Sequence, residues 1–366
     1  MVEFKDLTLR EGTQIPGLQI SESTGKQVLD RLDELNVNRV EVSFPRAHLR
    51  ESWYRYADEL EVRTAALARS TPGDVDAALA VDPDEVEVMI NSSDIQIEHS
   101  LGKSRDEACS LLGSSVQRVV DAGVDAGATL MDAIRADNDF LVVTARAAID
   151  AGAKHVTLAD TTGAGTPETV SETVTAVVSE VGDDASVTVH THADLGVATA
   201  NAAAGVDAGA TMVDATVGGI GERAGNAPLE EVAVLLTEAE EAVEIDLDRL
   251  VPVCQSIHEA LGIDIPPGKP VLGQRAYRHE SGMHTAAILK QPATYEPFPP
   301  SKYGGHRTLL FGTDTGRGAV RALLASIGLE PTDERVSESL TALDTAAAER
   351  GEPLTIEEAR HVVHDS

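Results

Sequence analysis

The sequence predicts an α/β protein, a (β/α)₈ TIM barrel followed by a smaller, mainly helical C-terminal region. Short β-branched apolar segments alternate with longer helical patterns through about residue 240, and eight strands with crossover helices close into such a barrel. From about residue 243, proline-rich stretches break this alternation. We therefore expect the catalytic barrel at residues 1–242, a linker and first subdomain at 243–310, and a helical subdomain at 311–366.

The predicted strands share short apolar runs that polar residues or glycines bound. They are Phe4–Leu9, Arg39–Phe44, Val62–Ala68, Glu85–Asn91, Ala128–Ile134, His155–Ala159, Ser186–Val189 and Met212–Val217. The predicted barrel helices follow the 3.6-residue period, and some begin at capping residues such as Ser21 and Thr166. They are Ser21–Leu35, Gly73–Ala80, Ser104–Ala126, Asp137–Ala151, Glu168–Val181, Leu195–Ala208 and Pro228–Ala242. The helices predicted beyond the barrel are Gly316–Ile327, Asp333–Arg350 and Thr355–Val363.

An Asp-Ala-Gly-Ala phrase recurs at Asp125–Ala128, Asp150–Ala153 and Asp207–Ala210. Each copy falls between a predicted helix and the next predicted strand. Glycine is the usual residue where a helix ends in a left-handed conformation. We therefore interpret the three glycines as helix C-caps.

The composition excludes several classes of partner. The net charge is −32, which argues against binding nucleic acid or an anionic membrane surface. Seven lysines stand against twenty-two arginines, and this acidic, lysine-poor composition is typical of adaptation to high salt. Two cysteines, Cys109 and Cys254, rule out a disulfide scaffold. The sequence shows no signal peptide and no apolar run of about 18 residues, so a cytoplasmic protein is expected.

Two histidines directly follow the predicted strand Ser186–Val189. His190 and His192 are two residues apart, and side chains two apart on a strand point to the same side. Both imidazoles can therefore reach one metal ion, for which histidine is a common ligand. Many His-x-His pairs bind no metal, so the pair by itself leaves both interpretations open.

Polar side chains also fall at the carboxyl ends of other predicted strands, where active sites of such barrels lie. Glu11 can complete a set of two histidines and one carboxylate, or be a surface acid. Arg10 can stabilise an oxyanion, or form a structural ion pair. Thr161 can hydrogen-bond a carboxylate, or belong to a polar turn. Asn226 can supply a fourth, oxygen ligand.

Four segments match a known family in the same order along the chain. They are Asp6–Gln14, His190–Gly196, Gly219–Asn226 and His279–His284. With these segments the chain resembles the 2-isopropylmalate synthase and homocitrate synthase family of the DRE-TIM metallolyase superfamily.

The resemblance implies an acyltransferase that joins acetyl-CoA to a 2-oxo acid by a Claisen condensation and then hydrolyses the thioester. It implies a divalent metal, Zn, Mn or Mg, which acts as a Lewis acid on the 2-oxo acid carbonyl. In this interpretation Arg10 stabilises the alkoxide and Thr161 holds the substrate carboxylate. The implied metal ligands are Glu11, His190, His192 and, near or on the metal, Asn226.

The resemblance also assigns the proton transfer from the acetyl methyl group. His284 matches the family's catalytic histidine, and Tyr295 matches its partner tyrosine. In the family this segment reaches the barrel of the neighbouring subunit, so a homodimer is implied. The chain stops before the regulatory domain of leucine-inhibited members, and feedback through that domain is not expected.

Several positions depart from the family pattern. Gln96 stands where a histidine is usual and is our candidate for a further substrate-binding residue, while Ala193 replaces a usual asparagine. Leu130 and Met131 are apolar where homocitrate synthases carry a polar run preceded by an arginine, which favours a less charged 2-oxo acid. The stretch Thr294–Phe298 instead resembles archaeal homocitrate synthases, so the 2-oxo acid stays open.

Two alternative functions remain beside the synthase. A metal-dependent carbon–carbon lyase, as in relatives of HMG-CoA lyase, would keep the barrel and the metal. The segment from His284 to Tyr295 speaks against it. A non-catalytic or divergent paralogue that binds a metabolite would account for the changes at Gln96, Leu130, Met131 and Ala193.

Overall fold

A closed barrel of eight parallel strands forms the first part of the computed structural model, which describes residues 1–365. Each strand pairs with the next one in sequence, and the first strand closes the barrel by pairing with the eighth. The predicted barrel is therefore confirmed. The strands are β1 Glu3–Asp6, β2 Arg39–Ser43, β3 Arg63–Arg69, β4 Glu85–Asn91, β5 Asp125–Met131, β6 His155–Asp160, β7 Ser186–Thr191 and β8 Met212–Ala215.

Helices connect the strands, and polar caps fix where several of them begin. Ser104 and Glu107 form a capping box, and Thr166 caps a helix whose first residue is Pro167. The helices are α1 Thr8–Gly12, α2 Glu22–Glu34, α3 Glu51–Ala57, α4 Pro72–Leu79, α5 Asp94–Gln96, α6 Arg105–Asp121, α7 Asn138–Asp150, α8 Pro167–Val181, α9 Ala198–Asp207, α10 Leu229–Glu238 and α11 Leu250–Leu261. In the described chain, none of the helices is long and apolar enough to cross a membrane.

The first strand is shorter than the predicted Phe4–Leu9. It ends at Asp6, whose carboxylate accepts hydrogen bonds from the backbone N–H and the hydroxyl of Thr8, at 2.9 and 2.8 Å. Such a local side-chain hydrogen bond competes with strand pairing and turns the chain. Arg10 and Glu11 consequently lie on the short helix α1, not on a strand end.

The recurring glycines do not all have the predicted role. Gly152 and Gly209 follow helices with φ of 102° and 108°, as a glycine cap requires. Gly127 instead lies inside β5. A β-carbon there would lie 2.3 Å from Oε2 of Glu87 and 2.4 Å from Nε2 of His155, so the glycine makes room for buried side chains.

Side chains alternate along each strand, so the barrel has two cores, one between the strands and the helices and one inside the barrel. Side chains such as Val86, Val88, Val156 and Leu158 are buried under the helices. Inside the barrel the chain buries charged and polar groups, which stay there because they are paired with one another. These interior groups include Lys5, Glu41, Glu85, Glu87, His155 and Asp214.

A second compact unit comprises residues 247–252 and 265–365, whereas residues 1–246 and 253–264 form the barrel unit. Its core packs Phe311, Leu323 and Leu343 among other apolar side chains. It contains β9 Arg278–His279, β10 Thr308–Phe311, β11 Leu354–Thr355, α12 Gly282–Ile288, α13 Arg317–Ser326, α14 Asp333–Arg350 and α15 Ile356–Asp365. The predicted helices are present, and the unit also contains a small three-stranded sheet of order β11-β10-β9 that was not expected from the sequence.

Candidate active site

Glu11, His190 and His192 converge at the carboxyl end of the barrel. The Nε2 atoms of the two histidines are 3.1 Å apart, and Nε2 of His190 is 3.9 Å from Oε1 of Glu11. Because the extended backbone of β7 continues through the bridge that His192 forms with Asn226, both imidazoles point into the barrel, as the period of two predicts. One ligand atom from each of the three residues lies within 4.8 Å of the others.

This set fits a divalent metal ion. Two nitrogens bound to one zinc at about 2.0–2.1 Å and angles of 90–109° lie about 2.9–3.4 Å apart, and the two Nε2 atoms meet that distance. Oε2 of Glu11 and Oδ1 of Asn226 are buried and have no hydrogen-bond partner among the described residues. Such orphaned acceptors are costly unless a cation or water satisfies them.

Gly221 allows Asn226 to approach this set. A β-carbon on Gly221 would lie 2.2 Å from Nδ2 of Asn226 and 3.6 Å from Oε2 of Glu11. The amide of Asn226 donates to the carbonyl of Ile220 at 3.2 Å. Its side-chain carbonyl is therefore the atom left to bind a ligand.

A second group of Glu85, Glu87 and His155 also has ligand atoms close together, but its chemistry differs. Oε2 of Glu87 accepts from Nε2 of His155 at 2.8 Å and from Nζ of Lys5 at 3.0 Å. These side chains already neutralise one another, and the lysine occupies the position that a cation would take. We therefore assign this group to the structural ion network of the barrel interior.

Burial and neighbouring charge tune the site. Burial, followed by the charges of His190, Arg223 and Arg10, lowers the pKa of His192 to about 2. His192 is thus neutral at physiological pH, the form in which imidazole binds metals. Burial alone would lower the pKa of Arg10, but the carboxylates of Glu11 and Glu41 raise it above its ordinary value. The guanidinium stays charged between those two acids, through Nη1 and Nε respectively.

A cavity of about 260 Å³ opens beside these residues. One wall is apolar and consists of Phe44, Leu67, Met89, Met131 and Ala159. The polar lining consists of Arg10, Glu11, Gln14, Glu41, Thr129, Thr161, His190, His192, Asp214 and Glu222. The cavity can therefore hold a small ligand between an apolar wall and the histidine pair.

Thr161 lies in this lining, beyond the end of β6. Its hydroxyl oxygen accepts the backbone N–H of Asp132 at 2.8 Å, which leaves the hydroxyl proton for a ligand. Asp160 accepts from the backbone N–H groups of Ala164 and Gly165, both at 3.0 Å, and shapes the loop that carries Thr161. Burial raises the pKa of Asp160.

The structure places other predicted positions away from the cavity. Gln96, our candidate substrate-binding residue, is outside the lining, and its amide oxygen accepts from Asn91 at 2.7 Å. Leu130 is fully buried and is likewise not part of the lining, because its neighbours Thr129 and Met131 are the inward residues of β5. Ala193 donates its backbone N–H to the carbonyl of Gly225 at 2.8 Å.

His284 and Tyr295 come together within the second unit. Their ring centroids are 4.0 Å apart with an interplanar angle of 36°, and Tyr295 is 39% exposed. His279 is in the same unit, where burial lowers its pKa. Glu296 beside Tyr295 is held by a bidentate pair with Arg307 at 2.5 Å. The loop thus presents an imidazole and a phenol in contact.

Sequence reasoning missed two acids of this site. Glu41 pairs with Arg10, and Asp214 lies 3.4 Å from Nδ1 of His190. Each stands inside an otherwise apolar strand run, Val-Glu-Val and Val-Asp-Ala. A lone charge in a buried strand must have a partner, and this signal could have identified both.

Two family models match successive parts of the chain. The HMGL-like model matches residues 1–257, and the model of the homocitrate synthase post-HMGL domain matches residues 271–351. Solved structures with a similar fold include the hydroxymethylglutaryl-CoA lyase of Pseudomonas aeruginosa, with a TM-score of 0.64 and 23% identity over 72% of this chain and 94% of that one. At this identity the likeness concerns the fold alone.

Curated relatives match almost the whole length of the chain. A homocitrate synthase of Methanopyrus kandleri is 40% identical over 92% of this chain and 85% of its own. A 2-isopropylmalate synthase of Sulfurisphaera tokodaii is 34% identical over 99% and 94%, and a putative (R)-citramalate synthase of Methanopyrus kandleri is 35% identical over 100% and 72%. With the HMGL-like barrel and the domain that follows it, the chain belongs to the 2-isopropylmalate synthase and homocitrate synthase family.

Proposed function

We propose that this protein is an acyltransferase that condenses acetyl-CoA with a 2-oxo acid. A carbon–carbon bond forms between the acetyl methyl carbon, which loses a proton, and the 2-oxo carbon, whose oxygen gains one. Water then cleaves the thioester and releases a carboxylate and free CoA. The observation that carries the proposal is the convergence of Glu11, His190 and His192 with Arg10 on one cavity, in a chain whose curated relatives are synthases of this kind.

The residues that would hold the divalent metal are Glu11, His190, His192 and Asn226. When bound, the metal supplies Lewis-acid polarisation of the 2-oxo acid carbonyl. Mixed imidazole and oxygen donors suit zinc and manganese, and magnesium prefers oxygen donors.

Arg10 and Thr161 are proposed to bind and orient the 2-oxo acid. The guanidinium of Arg10, held by Glu11 and Glu41, is fixed where negative charge develops on the former carbonyl oxygen. A preorganised charge of this kind stabilises a transition state without reorganisation. The hydroxyl of Thr161 is available to donate to the substrate carboxylate.

His284 and Tyr295 are proposed to take the proton from the acetyl methyl group. Their contact within the second unit supports this, because a base needs a neighbour that fixes its orientation. As the family resemblance implies, we propose that the protein works as a homodimer, and the cytoplasmic location stays a prediction of the sequence. Gln96 is outside the cavity lining and is not among the residues that we propose bind the 2-oxo acid.

The cavity favours a 2-oxo acid with an uncharged side chain. Its wall presents Phe44, Leu67, Met89 and Met131. Among the described lining residues, Arg10 is the only arginine or lysine, and there are four acids: Glu11, Glu41, Asp214 and Glu222. A second carboxylate, as in 2-oxoglutarate, would lose its hydration against an apolar wall near negative charge, which is unfavourable.

The test is release of free CoA thiol by the full-length protein in concentrated KCl, with acetyl-CoA, a divalent metal and one 2-oxo acid at a time. We expect release that needs all three components, with 2-oxoisovalerate or pyruvate turned over better than 2-oxoglutarate. Preference for 2-oxoglutarate would overturn the proposal that the 2-oxo acid has an uncharged side chain. No release with any 2-oxo acid would overturn the synthase, and acetyl-CoA formed from a hydroxyacyl-CoA would point to a lyase.

A further inference from the structure

We infer that Asp214 and Lys5 are positioning residues that orient His190 for the metal. The inference deepens the proposed metal site and rests on it. Asp214 is on β8 and is only 4% exposed, and its Oδ2 lies 3.4 Å from Nδ1 of His190. The other ring nitrogen, Nε2, is the one that faces His192. The carboxylate is therefore at the opposite edge of the imidazole from the metal-facing atom.

This placement decides where the proton of His190 resides. A neutral imidazole that binds a metal through Nε2 carries its proton on Nδ1. A carboxylate at Nδ1 stabilises that tautomer, fixes the ring plane and increases the basicity of the ligand nitrogen. Neither Nδ1 atom makes a hydrogen bond to a described residue, and only that of His190 has a carboxylate within ion-pair distance. Asp214 thus acts on one of the two imidazoles.

Lys5 holds Asp214 from the neighbouring strand. Residues 5 and 214 are paired across β1 and β8, the two strands that close the barrel. The ammonium Nζ of Lys5 is fully buried and lies 3.4 Å from Oδ1 of Asp214. One oxygen of Asp214 therefore faces a cation and the other faces His190. Burying a carboxylate without such a counter-charge is costly.

A second carboxylate, that of Glu87, also pairs with Lys5. Oε2 of Glu87 is 3.0 Å from Nζ of Lys5 and 2.8 Å from Nε2 of His155. Its other oxygen accepts from the hydroxyls of Thr129 and Thr157 at 2.6 and 3.2 Å. Glu87 is thus held by groups from β5 and β6, and it in turn pairs with Lys5. The resulting series, Glu87 to Lys5 to Asp214 to His190, connects the barrel interior with the metal-facing imidazole.

The experiment measures metal affinity and tautomer in the full-length protein. Co(II) alone is titrated into the wild type and Asp214→Asn in competition with a chelator, and visible absorbance follows binding. Outer-shell partners of this kind change metal affinity by about 10–100-fold, and we expect a loss in that range for D214N, with partial recovery in Asp214→Glu. Asp74→Asn is the control, because Asp74 is also a buried carboxylate with a cationic partner, Arg69, but does not line the cavity; the Co(II) affinity of this variant should equal that of the wild type.

A second readout needs no substitution. In the zinc-loaded wild type with ¹⁵N-labelled histidine, His190 should bind through Nε2 and carry its proton on Nδ1. Binding through Nδ1, or equal Co(II) affinity in wild type and D214N, would overturn the inference and leave the metal site standing. Failure of the wild type to bind Co(II) at all would instead overturn the proposed metal site.

Discussion

The Nε2 atoms of His190 and His192 lie 3.1 Å apart inside the barrel, with Glu11 completing a three-residue set. His190 lies on β7 and His192 directly follows it, whereas Glu11 comes from a short helix after β1. The closure of the barrel brings β1 and β7 to either side of β8 and so unites residues about 180 positions apart. A substitution of any one of these three residues should therefore weaken the binding of the same metal ion.

Removal of one imidazole should separate metal binding from proton transfer. His192→Ala should weaken metal affinity by more than about 100-fold, beyond the range for outer-shell partners, and abolish most thiol release. His284→Ala should keep the metal and the 2-oxo acid while lowering turnover, because His284 is in the second unit with Tyr295. Metal content by elemental analysis and thiol release are the measurements. Equal loss of metal in both variants would contradict these roles.

Asp6 should make the folding stability depend on pH. Burial raises the pKa of Asp6 from 3.8 to about 7 in the folded protein, although its hydrogen bonds with Thr8 oppose the shift. The folded state therefore holds a proton that the unfolded state has lost between pH 4 and 7, and stability falls as pH rises through this window. At about 1.4 kcal/mol per unit, the loss is up to ~4 kcal/mol.

Asp6→Asn removes this titration and retains most of the side-chain shape. Urea unfolding at pH 5 and pH 8, in the same salt, should show a smaller difference between the two pH values for the variant than for the wild type. All other carboxylates are the same in both proteins, so the difference between their pH dependences reports Asp6 alone. An identical pH dependence in both proteins would contradict the raised pKa.

Substitution by alanine should change stability differently at two helical glycines. A β-carbon on Gly25 in α2 would lie 2.1 Å from the ring of the fully buried Trp53. Overpacking of this kind costs about 1–3 kcal/mol, so Gly25→Ala should lower the free energy of unfolding. A β-carbon on Gly73 in α4 would have no neighbouring atom within 4 Å. Gly73→Ala should therefore leave the free energy of unfolding unchanged or raise it by up to ~1 kcal/mol. Chemical denaturation measures both, and similar losses would contradict the contact.

The net charge of −32 should make stability depend on salt. At about 0.1 M salt the screening length is ~10 Å, and at about 1 M it is ~3 Å, so repulsion between surface acids falls steeply. We expect the thermal midpoint to rise by roughly 10 °C or more in molar KCl, a few kcal/mol of stabilisation. An equal osmolality of an uncharged osmolyte is the control. The same midpoint at low and high KCl would contradict adaptation to salt.

Much of the barrel could be predicted from the sequence because the side-chain periods of strands and helices are visible in short segments of the chain. The alternation that runs along β7 and on to His192 placed His190 and His192 on one face, and the extended backbone keeps them there. Local chemistry also explains the failures. Asp6 turns the chain after β1 by bonding Thr8, so Arg10 and Glu11 are helical, and Gly127 belongs to a strand because Glu87 and His155 need its space.

The sequence by itself determined the barrel, its family and the types of residue in the candidate metal set, since each depends on short-range patterns and motifs. Only the tertiary structure decided which groups support that set. Asp214 reaches His190, Glu41 reaches Arg10, and Met131 instead of Leu130 lines the cavity. These relationships depend on how strands distant in sequence align around a closed cylinder, and no local pattern carries the register between them.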